Sequence, residues 1–77
     1  QGMIVAANKY GMYVGAAQNA QGDDRGILVG KARGFLRQVR RYADASPKLA
    51  TVALGIPWDA FDEWYRAQEE MLRDMMD

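Results

Sequence analysis

The sequence predicts a small α+β domain: an N-terminal β-hairpin or short three-stranded sheet, then three helices, the last two joined by a tight turn. Three observations carry that expectation. Two apolar runs flank the turn-forming stretch Asn8-Lys9-Tyr10-Gly11. Apolar residues recur every three or four positions from Arg25 to Ala43 and again after Pro57. Ser46-Pro47 and Gly55-Ile56-Pro57 punctuate the chain between those two stretches. An all-α fold is the alternative, reached if the first stretch is helical instead.

Residues 3–17, MIVAANKYGMYVGAA, divide into strands near 3–7 and 12–16, and Ile4, Val5, Tyr10, Tyr13 and Val14 favour an extended backbone. A lone hairpin is marginally stable and needs a third strand or a helix to lean on. The alanines at 6, 7, 16 and 17 argue for a short helix, so both readings stand. Gln1-Gly2 before Met3 reads as the remnant of a cleavable tag, which leaves 3–77 as one domain. Gln18 to Asp24 is polar, contains Gly22, and reads as a loop in which Asp23 or Asp24 caps the next helix.

From Arg25 to Ala43 the stripe Leu28, Ala32, Phe35, Val39, Tyr42 has helical spacing, with Arg33, Arg37, Arg40 and Arg41 mostly off it. Gly26, Gly30 and Gly34 fall on one face of that helix, and each weakens it by roughly 1 kcal/mol relative to alanine. Either they form a groove for a neighbouring helix, or Ile27-Leu28-Val29 is a third short strand and the helix starts near Lys31. Ser46 and Pro47 start a short helix over 46–54, since serine can cap and proline suits the first helical position. Gly55 ends it, and Pro57 opens a long last helix over 57–76, with Asp59 at its positive end. Phe61, Tyr65, Gln68, Leu72 and Met75 line one side of that helix, and Trp58, Trp64, Met71 and Met76 widen the apolar surface. Arg66 and Arg73 are placed to pair with Glu69 or Glu70 on its surface, and Asp74 and Asp77 sit at the end the helix dipole disfavours for acids.

Ala50, Leu54, Gly55, Ile56, Phe61 and Trp64 occupy the small, turn and apolar positions of a helix-turn-helix unit. Over residues 46–66 the chain therefore resembles the helix-turn-helix family of DNA-binding domains, with Thr51 departing from the usual alanine. The resemblance implies that the exposed face of the second helix enters the major groove. That face would carry Pro57, Trp58, Asp59, Asp62 and Glu63, and three carboxylates repel phosphate rather than attract it.

With no histidine and no cysteine, the chain offers neither a hydrolytic triad nor a thiolate zinc site, so enzyme activity is not expected and no cofactor is implied. Asp59, Asp62 and Glu63 read as dipole-favoured acids of a first helical turn rather than as a metal site or an acid–base pair. Gly30-Lys31 lacks the other residues of a phosphate loop. No run reaches the roughly 20 apolar residues of a membrane span, and no basic leader precedes an apolar block, which leads to a cytoplasmic expectation. The net charge is zero, but it is segregated: Arg25 to Lys48 holds seven bases and one acid, and Leu49 to Asp77 holds seven acids and two bases.

Two surfaces are candidates. Arg33, Arg37, Arg40, Arg41 and Lys48, with Arg25 and Lys31, could track phosphates or bind a partner; alternatively they form a solvated face paired with the acids of the last helix. Trp58, Trp64, Met71 and Met75 would anchor a partner or a homodimer; alternatively they complete the core. The function expected is a small helix-turn-helix-like DNA-binding or transcription-regulatory protein. The alternative is a phage- or mobile-element-type small protein that binds and inhibits or adapts a partner protein.

Overall fold

Four α-helices follow one another in the computed structural model, which describes residues 2–76. They are α1 (Gly2–Gln18), α2 (Gly22–Ala45), α3 (Pro47–Leu54) and α4 (Phe61–Met76), with a 3₁₀ turn at Trp58–Ala60 leading into α4. No strand occurs among the described residues. The α+β expectation is thereby overturned: the hairpin placed over 3–17 is α1, and the third strand placed at 27–29 lies inside α2. Gln1 and Asp77 fall outside the described residues, and with them part of the supposed tag remnant and the acid expected to close the last helix.

The physical reason for α1 is its buried stripe. Met3, Ala6, Tyr10 and Ala17 are buried, Ala7, Tyr13 and Val14 pack partly against the core, and these positions recur at helical spacing. Packing along α2 outweighs the strand preference of Ile4 and Val5, both of which remain exposed. Three residues connect the two helices. Asn19 and Ala20 donate backbone bonds to Ala16 and Ala17 at 3.2 Å. Arg25 Nε reaches back to the carbonyl of Ala17 (3.2 Å), which also accepts from Ala20 N–H, and to that of Ala20 (3.0 Å) in the connection, clasping the end of α1. Gly22 takes a φ of 63°, a left-handed conformation that glycine adopts without a Cβ penalty, and the chain reverses into α2.

The core-facing residues of α2 are Val29, Ala32, Leu36, Val39 and Ala43. This stripe is rotated from the one expected: Leu28 and Phe35 flank the core half-buried, and Tyr42 is exposed. Alanine at 32 and 43 lets α1 approach closely while the larger side chains close over the sides. Tyr13 stacks on Phe35 with ring centroids 5.5 Å apart. A Cβ added at Gly26, Gly30 or Gly34 would meet nothing within 4 Å, so no neighbouring helix of this chain occupies the glycine row.

Pro47 opens α3, but the Ser46 side chain makes no capping bond; its carbonyl accepts from Ala50 N–H at 3.1 Å. Gly55 closes the helix at φ 69°, with its N–H donating to the Thr51 carbonyl at 2.9 Å. Pro57 is extended (ψ 148°) rather than helical, so α4 begins at Phe61 after the 3₁₀ turn and not at Pro57. The core has two lobes along α2. Met3, Ala6, Val39, Ala43, Ala50 and Phe61 form one; Tyr10, Ala17, Val29, Ala32, Leu36 and Leu72 form the other. Trp64 and Tyr65 of α4 pack against both. The Tyr10 hydroxyl crosses from α1 to α4, donating to Gln68 Oε1 at 2.5 Å.

Candidate functional site

The basic residues of α2 do not act as one group. Arg40 is committed within the molecule: its Nε lies 3.4 Å from Asp44 Oδ2, and an Nη lies 3.3 Å from Asp62 Oδ1 on α4. Its guanidinium also sits over the rings of Phe61 (5.6 Å) and Tyr65 (5.0 Å). Arg25 caps α1, as described. Arg33 and Arg37 instead face a shallow cleft of about 290 Å³ between α2 and α4, lined with Glu69 and Arg73. Arg41 lies on another side with Gln38, Tyr42 and Ala45. Lys48 belongs to a third surface, beside Pro47, Thr51, Val52 and Trp58. Lys9 and Lys31 stand over aromatic rings, those of Phe35 (5.5 Å) and Tyr13 (5.9 Å).

α2 and α4 run antiparallel along this seam, since Arg40 meets Asp62 while Arg33 and Arg37 meet the Glu69–Arg73 turn further on. Among the described residues, the only ion pairs within 4 Å are Arg40–Asp44 and Arg40–Asp62. The pairs expected between Arg66 or Arg73 and Glu69 or Glu70 do not form. The Tyr65 phenol is pushed above its ordinary pKa chiefly by burial and then by Glu69, against the opposing pull of Arg40 and Arg37.

The large residues of α4 lie mostly inward. Trp64, Met71 and Met75 are half-buried against the core lobes, whereas Trp58 is 41% exposed and stacks on Phe61 at 5.1 Å. Asp59, Asp62 and Glu63 are exposed, and only Asp62 has an ionic partner. Among the described residues no group of acids is arranged to hold a metal ion, and no charged side chain is buried.

Two features escaped the sequence reading. The first is the outer side of α1, where Ile4, Val5 and Met12 are exposed in a helix whose only charge is Lys9. They fall off the buried 3-6-10-17 stripe, so helical spacing would have marked them had the segment been taken as a helix. The second is Arg73, which joins Arg33 and Arg37 across the seam; its placement follows only once the two helices are known to be antiparallel. No helix of the described residues is long and apolar enough to cross a membrane. Comparison of the chain with family models, curated proteins and solved structures returned no match.

Proposed function

We propose that the chain is a non-catalytic binding domain whose partner is a protein, contacted through the outer side of α1. The observation that carries this is the exposure of Ile4 (44%), Val5 (51%) and Met12 (57%) on a helix apolar nearly all round. Such a helix is ordinarily covered on every side, and large apolar side chains left exposed on one side of a helix mark a candidate interaction surface. Gly11 and Ala16, also exposed, add little bulk, and Asn8 and Lys9 on the same side place polar groups among the apolar ones. Every described carboxylate is exposed, which supports binding over acid–base chemistry, since catalytic carboxyls are commonly tuned by burial or close neighbours. A cytoplasmic setting belongs to the same proposal, because a chain without cysteine draws no stability from an oxidising compartment.

The test is selection of a random-peptide display library on the immobilised domain, followed by affinity measurement with wild type, Val5→Lys and Met12→Lys. Apolar peptides that bind the lysine variants at least about tenfold more weakly support the proposal. Peptides indifferent to both substitutions, or no peptides at all, refute it. Light scattering at tens of micromolar separates a second copy of the chain from a different partner.

A second reading, DNA binding by a helix-turn-helix-like unit, is favoured by Gly55 in its left-handed conformation and by the burial of Phe61 beyond it. Against it stand the commitment of Arg40 to Asp62 and the spacing of α3 and α4, whose Cα atoms nowhere come within 8 Å of each other. Absence of binding to duplex DNA at about 50 mM salt, where phosphate contacts are strongest, would remove this reading.

A further inference from the structure

The cleft between α2 and α4 gathers three guanidiniums, those of Arg33, Arg37 and Arg73, around one carboxylate, that of Glu69. Among the described residues none of the four forms an ion pair within 4 Å. This is a local excess of two positive charges in a chain whose total is zero. Arg40, one turn along α2 from Arg37, shows what intramolecular neutralisation looks like here: two carboxylates and two ring faces hold it. The cleft arginines have no such arrangement. Converging like charges repel one another, and planar guanidinium forks match carboxylate oxygens in pairs.

We propose that this cleft is a binding site for acidic side chains of a partner protein, an aspartate or glutamate cluster seated between Arg37 and Arg73. The inference deepens the protein-binding reading by adding a second contact on a different face from α1. The surroundings set the size of the anion. Towards Arg40 the seam is closed by Asp62 and Asp44, and Glu70 and Asp74 stand on the neighbouring stripe of α4. A flexible acidic peptide can seat one or two of its carboxylates between these groups and turn the others to solvent, whereas a stiff duplex, whose phosphates repeat at fixed spacing, would meet them within its next repeat. Glu69 is the built-in competitor: its carboxylate lines the cleft without pairing within 4 Å to any of the three arginines, and its charge opposes that of an incoming anion.

The probe is hexaglutamate, titrated at about 50 mM salt while the arginine side-chain N–H signals are followed by NMR. Saturable shifts are expected at Arg33, Arg37 and Arg73. Arg37→Ala and Arg73→Ala should each weaken binding about fivefold, and Arg41→Ala, outside the cleft, should leave it unchanged. Glu69→Gln should tighten binding several-fold, a gain that a merely structural role for Glu69 would not produce. Circular dichroism confirms that each variant remains helical. No saturable shift, equal affinity across the variants, or weaker binding in Glu69→Gln would overturn the proposal. Inorganic phosphate binding as tightly as hexaglutamate would mean a small-oxyanion site, and tighter binding of duplex DNA at equal charge concentration would mean a nucleic-acid surface; either result also overturns it. Val5→Lys and Met12→Lys should not affect hexaglutamate binding, so the α1 surface and the cleft fail separately.

Discussion

Tyr10 is the residue through which α1 and α4 are joined by both packing and a polar bond. Its ring meets Trp64 edge-on, with centroids 6.4 Å apart, and its hydroxyl donates to Gln68. Burial pushes its pKa from the ordinary 10 up to about 12. Between those values the folded chain keeps a proton that the unfolded chain has lost. Stability from this source is therefore complete below about pH 10 and is lost as pH rises through about 12. Tyr65 is shifted in the same direction and adds to the alkaline loss. Urea unfolding of wild type and Tyr10→Phe at pH 8 to 11 should show a shallower alkaline decline in the variant, which at neutral pH costs about 1 kcal/mol for the lost hydrogen bond. Arg40 and Asp62 permit a sharper measurement. A double-mutant cycle to alanine should give a coupling of about 0.5 kcal/mol, the scale of an exposed pair, that falls with added salt.

Glycine substitutions separate the elements. Gly30 and Gly34 lie inside α2 with open space where a Cβ would go, so Gly30→Ala and Gly34→Ala should each stabilise by about 0.5–1 kcal/mol in urea unfolding. Gly55→Ala places a Cβ on a left-handed backbone and should destabilise by about 1–2 kcal/mol. The same elements mark what could be read in advance. The apolar side of α4 was legible, because Phe61, Tyr65, Gln68, Leu72 and Met75 repeat with few competitors on the opposite face. In α2 the period was legible and its phase was not: Leu28, Phe35 and Tyr42 are larger than Val29, Leu36 and Ala43, and size favoured the flank over the core. In α1 the period itself was masked. With apolar residues on every side and one charge, no face stood out, and Asn8-Lys9-Tyr10-Gly11 carried a turn signal that packing on α2 overrides. The arginine cleft was half legible, since Arg33 and Arg37 were read together but their partner Arg73 depends on how distant helices meet.

The whole molecule measures 38 × 23 × 16 Å. A 24-residue helix is about 36 Å long, so α2 runs nearly the full length and the other helices are laid along it. Its two core lobes are small, and Phe61 is among the largest side chains fully enclosed. Phe61→Ala should cost about 3–5 kcal/mol, a large part of the roughly 4–12 kcal/mol available to a domain of this length. Thermal melting followed by circular dichroism should show that variant largely unfolded at 37 °C or lowered in Tm by well over 10 °C; a shift of only a few degrees would mean that the surrounding rings collapse into the space.

Arg25, reaching back over the chain reversal to hold two carbonyls of the preceding turn, also bears on how the polypeptide finds its shape. The first two helices are neighbours in sequence as well as in space, and closing a connection of three residues sacrifices little chain entropy. That pair can assemble early and offer a template on which the C-terminal segment condenses. Stopped-flow refolding of Arg25→Ala should then be slowed while its unfolding rate is nearly unchanged, the kinetic signature of a clasp already fastened at the barrier.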